Sequence, residues 1–211
     1  PLKDSINARP CSPGGIWRAA DGTVAIIDQS PRAHIVQPDG VQYIGNLTGV
    51  TTGVKKLCFL DKAYSFLHMA VPLGTTLPGG ELEAKGNVNG EWKRRQGNLE
   101  IWGTMDATIG GDFYLCFTGA YDALHARGSQ VATLAGTFHP ATDPDSEVVT
   151  IDANGVVFSQ NATTGCVVNG SIKAFDSDYN VYRLDLTYSS CRAAAVVLNG
   201  RSFEGLGYFD S

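Results

Sequence analysis

Apolar and polar residues alternate with period two along much of the chain. From Asn98 to Met105, Leu99, Ile101 and Met105 fall on one face, with Glu100 and Thr104 on the other. Tyr182, Leu184, Leu186 and Tyr188 alternate with Arg183, Asp185 and Thr187 in the same way. Such alternation predicts strands with one buried and one solvated face. No segment of about a dozen residues keeps apolar positions at helical spacing without an intervening Gly or Pro, so long helices are not expected. The expected place for a short helix is Asp122 to Arg127.

Turn signals punctuate the strands at even intervals. Asp21-Gly22, Asp39-Gly40, Asn89-Gly90, Gly110-Gly111, Asn154-Gly155 and Asn199-Gly200 all lie between alternating or apolar stretches. Asn-Gly and Asp-Gly suit hairpins because both central residues take positive φ, and their number predicts about ten strands. The expected fold is all-β: an antiparallel meander closing into a β-barrel, with a sandwich-like first part as its variant form. Closure would remove exposed strand edges. Residues 1–14 read as an extended tether and 15–211 as the barrel, with a weak internal division at the polar stretch 122–130. Phe113, Leu115, Phe117, Leu184 and Leu186 are expected to fill the interior.

Composition narrows the setting. The net charge of −5 gives no electrostatic footprint for nucleic acid. Lys93-Arg94-Arg95 is the one basic run, and a solvated turn is its expected home. The longest apolar run, Ala193 to Leu198, is strand-sized and far short of the ~20 residues of a membrane helix. The chain begins with Pro, so a processed or trimmed form is expected. The five cysteines, at 11, 58, 116, 166 and 191, are widely spaced with no C-x-x-C pair, which excludes the usual structural zinc patterns and favours disulfides in an oxidising compartment. Cys166 and Cys191 flank two strands read as one hairpin, Val167 to Phe175 and Val181 to Ser189, and are expected to bridge. Cys58 with Cys116 is the second expected pair, with Cys11 competing.

The run Thr133-Leu134-Ala135-Gly136-Thr137-Phe138 begins a longer pattern. It continues through Val149 to Gly155, Gly165 to Ile172 and Asn180 to Leu186, then closes with Cys191 and Gly205 to Asp210. Together these segments resemble bacterial envelope lipoproteins with a β-barrel domain, distantly similar to the barrel lobes of transferrin-binding-protein-type surface lipoproteins. The likeness covers about 80 residues well, and its segments are mostly strand-and-turn grammar. It implies a location in the periplasm, at the outer membrane surface or outside the cell, and a lipid anchor on the native precursor. Members of that group carry the anchor on a Cys at the mature N-terminus, whereas Cys11 here lies ten residues in, without a lipobox.

Catalytic motifs are missing from the sequence: there is no G-x-S-x-G and no H-E-x-x-H. His34, His68, His125 and His139 stand apart from any nucleophile pattern. The acidic turns Asp143-Pro144-Asp145-Ser146-Glu147 and Asp176-Ser177-Asp178 lack the EF-hand loop, so no metal or other cofactor is expected. Trp92 with Lys93, Arg94 and Arg95, together with Trp102, forms a candidate aromatic-basic recognition patch. Three sequons, at Asn46, Asn161 and Asn169, would accept glycans in a eukaryotic secreted protein and carry no meaning in a bacterial one. The expected function is therefore non-catalytic: binding of a protein or glycan partner through barrel loops and rim. One alternative is a lipocalin-like carrier of a small apolar ligand, suggested by Gly15-Ile16-Trp17. The other is an enzyme whose signature is not recognised.

Overall fold

A computed structural model describes residues 13–30, 32–39, 41–47, 51–54, 57–60, 65–70, 83–84, 86–95, 97–107, 112–139 and 147–210. The protein is all-β and antiparallel, 52% strand with almost no helix, and one of its two sheets is curled into a half-barrel. The helical content among the described residues is three short 3-10 turns: Ala123–Arg127, where a helix was expected, Val131–Leu134 and Ala193–Leu198. Two compact units meet in sequence between Ala126 and Arg127.

The first unit holds an 11-stranded sheet. Its strands are β1 (Gly15–Ala19), β2 (Val24–Ile27), β3 (Arg32–Val36), β4 (Gln42–Asn46), β5 (Thr51–Val54), β6 (Leu57–Leu60), β7 (Ser65–Ala70), β8 (Glu83–Ala84), β9 (Gly86–Arg95), β10 (Asn98–Ala107) and β11 (Asp112–Tyr121). They lie in the order β5-β6-β9-β10-β11-β1-β2-β3-β4-β7-β8. The strand number exceeds the turn count because 51–84 carries no Asn-Gly or Asp-Gly, yet β5 to β8 form there. Conversely, Asn89-Gly90 makes no turn: it lies inside β9, opposite Thr104 and Gly103. A ten-residue antiparallel partner there overrides the local turn preference.

β1 joins the two halves of this sheet. Trp17 lies opposite Ala25 on β2 and Tyr121 on β11. Ile16 and Trp17 are adjacent in sequence and both fully buried, as are Ala25 and Ile27 on β2. These central strands are therefore covered on both faces, and they read as continuous apolar runs for that reason. Trp17 donates from Nε1 to the carbonyl of Pro13 and meets Tyr121 edge-on, with ring centroids 5.4 Å apart. Arg18 pairs with Asp122. Farther along, Leu99, Ile101 and Phe117 are buried while Cys116, Thr118 and Ala120 are exposed, so β10 and β11 keep the predicted alternation. Phe117 thus fills the interior as expected; the side chains of Phe113 and Leu115 lie outside the described residues.

The second unit is a six-stranded meander in sequence order: β12 (Gly136–Phe138), β13 (Glu147–Ile151), β14 (Val156–Asn161), β15 (Val167–Ala174), β16 (Tyr182–Ser189) and β17 (Ser202–Gly207). Its core gathers Leu134, Val157, Ile172 and Tyr182, with Leu184 and Leu186 packed against them from β16. The opposite face carries Phe158, Asn169, Asp185 and Thr187, all exposed. Gly155 shapes the β13–β14 turn. Its φ is +83°, and a Cβ there would lie 2.2 Å from the carbonyl oxygen of Ile172, so only glycine is accommodated. Asp152 completes that turn by accepting from the amides of Asn154 and Val156.

Candidate functional site: a loop end stapled by a disulfide

Three connections leave the same end of the second sheet, after β12, β14 and β16. Two of them are joined covalently, because Cys166 and Cys191 form a disulfide, the pair expected to bridge. Cys166 lies just before β15 and Cys191 just after β16, where the Val167–Ser189 register brings the strand ends together. Hydrogen bonds extend the link: the amide of Arg192 donates to the carbonyl of Thr164, 2.8 Å away. Asn161 turns the chain before Cys166, its Oδ1 accepting from the amides of Thr163 and Thr164.

Between β16 and β17 the backbone is bent by non-glycine residues. Ser190 and Ala193 have φ of 59° and 52°, in the left-handed region that L side chains avoid. Asn199 holds the resulting loop shut. Its Oδ1 accepts from the amide of Cys191 at 2.7 Å, and its Nδ2 donates to the Cys191 carbonyl at 3.1 Å. The run Ala193–Leu198, strand-sized in sequence, is instead a 3-10 turn because Ala195 and Leu198, three residues apart, both bury against the disulfide. Tyr188 and Phe203 pack beside them, edge to face. Burial, and then the nearby charge of Glu147, raises the Tyr188 pKa above the usual tyrosine value.

That arrangement leaves Val196 and Val197 outward, 55% and 56% exposed. All seven exposed large apolar side chains among the described residues lie in this second unit, and Val197, Val196 and Val156 are the most exposed of them. Arg192 and Arg201 bracket Val196 and Val197, and the sequence carries no carboxylate between Asp185 and Glu204. A loop end is thus held rigid while it presents apolar surface to solvent. Sequence reasoning passed over it; the available signal was an apolar hexapeptide set between a cysteine and Asn199-Gly200.

The sequence-predicted residues lie elsewhere. Trp92, Lys93, Arg94 and Arg95 register with Ile101, Glu100, Leu99 and Asn98. Leu57, Cys58 and Phe59 pair with Arg95, Arg94 and Lys93 from the other side. The basic run therefore belongs to a strand between two others, which corrects the expected turn. Beyond that register, the surroundings of 92–95 lie outside the described residues. Trp102, half-buried, pairs with Cys116.

The expected Cys58–Cys116 bridge is also corrected. Their strands, β6 and β11, are separated by β9 and β10. Three inter-strand steps of about 4.8 Å place them far beyond disulfide reach. Cys116 is an exposed free thiol, and Cys11 lies outside the described residues. His34 binds Gln42, buried His125 shares a hydrogen bond with Tyr121, and His139 is exposed; the side chain of His68 lies outside the described residues. In the Asp176–Asp178 turn, Asp176 accepts from the amide of Asp178, while 143–146 lies outside the described residues. No helix among the described residues is long and apolar enough to cross a membrane.

Fold and site together define an all-β, disulfide-bearing protein with a covalently constrained loop end. No family model matches the chain, and neither does any curated protein or solved structure. None of these comparisons bears on the likeness to envelope lipoproteins.

Proposed function

We propose that this is a non-catalytic recognition protein of a surface, envelope or extracellular setting, which binds a protein partner through the loop end of its second unit. The carrying observation is the exposure of Val196 and Val197 on a loop fixed by the Cys166–Cys191 bridge and the Asn199 clamp. Rigid loops that present apolar side chains lose little entropy on association, which is how binding loops on β scaffolds gain affinity. Left-handed Ser190 and Ala193 support the same reading, since backbone strain concentrates at functional sites. A disulfide also fits an oxidising compartment.

The test is capture from the native envelope or surrounding fluid with the immobilised chain, alongside the double variant Val196→Asp/Val197→Asp. Both side chains face solvent, so the variant keeps the fold while charging the tip. A partner retained by the parent and reduced at least ~10-fold on the variant supports the reading. Equal retention by both proteins refutes it.

A further inference from the structure

We infer that copies of this chain bind one another, the loop end of one seating on the solvated face of the second sheet in the next. This rests on the reading of the loop end as a recognition surface and names its partner. Apart from Phe138 and Phe175, the exposed large apolar side chains among the described residues fall into two groups. Val196 and Val197 stand at the loop tip, and Val148, Val156 and Phe158 lie on the sheet face.

That face changes character across its strands. One row runs from Val156 on β14 through Ser171 on β15 to Asp185 on β16 and Glu204 on β17, each directly opposite the next. At about 4.8 Å per strand the row spans roughly 14 Å, apolar at one end and acidic at the other. Asp185 and Glu204 are both exposed, and like charges placed opposite each other destabilise a sheet until cations approach them. In the next row Lys173 and Arg183 oppose each other, and the Arg183 guanidinium is laid over the Phe175 ring, 3.8 Å from its centroid.

The loop end carries the complementary set. Arg192 lies across Gly165, where a Cβ would be 3.2 Å from its Cδ, and Arg201 sits 5.8 Å from the centroid of the Phe203 ring. Among the described residues neither Arg192 nor Asp185 takes part in an ion pair. They do not meet within one copy. Four residues of β16, about 13 Å, separate Asp185 from the strand end at Ser189, and the bridge and the Asn199 clamp fix the tip beyond that end. A second copy brings the two sets together, valines onto Val156 and Phe158 and arginines onto Asp185 and Glu204. Because the chain carries a net charge of −5, its carboxylate-free loop end is the part that another copy attracts. Tip and face are different patches, so each copy keeps one of each to offer and assembly passes the dimer, into a ring or an open chain.

The test is sedimentation equilibrium of the full chain from about 1 µM to 1 mM, where a contact this small is expected to act. Free thiols are capped with iodoacetamide so that no intermolecular disulfide contributes. The parent should rise in mass with concentration. Val196→Asp/Val197→Asp, which spoils the tip, and Asp185→Lys/Glu204→Lys, which spoils the face, should each associate at least ~10-fold more weakly. All four side chains are exposed, and unchanged far-UV circular dichroism checks the fold. Mixed in equal amounts, the two variants still own one good tip and one good face, so they should form a one-to-one pair and nothing larger. A parent that stays monomeric throughout overturns the inference, as does a mixture that fails to pair or a face variant that associates like the parent. A monomeric parent that still captures a partner lost on Val196→Asp/Val197→Asp overturns self-association and leaves the recognition reading standing. Equal capture by both overturns the two together.

Discussion

Replacing Cys166 and Cys191 together with alanine probes how the loop end is held. The bridge closes a loop with a sequence separation of 25. The chain-entropy relation then assigns it about 3.5 kcal/mol, through restriction of the unfolded chain. Asn199 and the Arg192–Thr164 hydrogen bond remain in the variant, so the native loop keeps part of its shape. For a unit of this size the urea slope is about 1 kcal/mol per molar, which converts the loss into a midpoint shift of about 3.5 M. The assay must see the second unit alone. All three tryptophans, at 17, 92 and 102, belong to the first unit, so their emission serves as an internal reference. Amide exchange in peptides from 147–207, followed across a urea series, reports the second unit. Its midpoint is expected to fall by about 3.5 M, or its protection to disappear in water if the whole stability is smaller than the loss. A shift below ~0.5 M would refute the reasoning and show that the hydrogen-bonded clamp holds the loop without the bridge.

Trp17→Ala empties a fully buried site beside Tyr121 and removes the donor to Pro13; a loss of about 3–5 kcal/mol is expected, read from urea unfolding by the emission of the two remaining tryptophans. Backbone amides, that of Val156 first, hold the Asp152 carboxyl below its ordinary 3.8, so its support of the β13–β14 turn is complete above that value and lost as pH falls through the lower folded value. Protection of the Asn154 and Val156 amides, taken relative to the intrinsic exchange rate at each pH, should therefore fall between about pH 5 and 2, with Asp152→Asn, which keeps a carbonyl oxygen acceptor, much flatter. Iodoacetamide should modify Cys116 in the native protein while Cys166 and Cys191 stay unmodified until reduction; a protected Cys116 would contradict its exposed placement.

Elements made by local rules were legible. The alternation of 182–188 became β16, and Asn154-Gly155 became a turn because positive φ there admits little besides glycine. Cys166 and Cys191 could be paired because the hairpin between them has clear ends. Elements made by distant contacts were not legible. Nothing local indicates that Lys93, Arg94 and Arg95 lie in a strand between β6 and β10, since propensity places such a run in solvent. Asn89-Gly90 has turn chemistry, yet its long partner strand holds it extended. The loop end escaped for a related reason: its clamp joins Asn199 to Cys191 and Arg192 to Thr164, pairs that leave no periodic trace in the chain.

The place of β1 between β2 and β11 sets a timetable for synthesis. β1 emerges early and finds β2 at once, but its other edge waits for β11, about a hundred residues later. Throughout that interval Ile16 and Trp17 lie on a strand with one row of backbone donors and acceptors open, the state in which nascent chains recruit chaperones or pair with each other. The second unit has no such wait, since each of its strands pairs with the one just made. A ribosome pausing before residue 112 would therefore hold the chain at its most adhesive, and one pausing later would not.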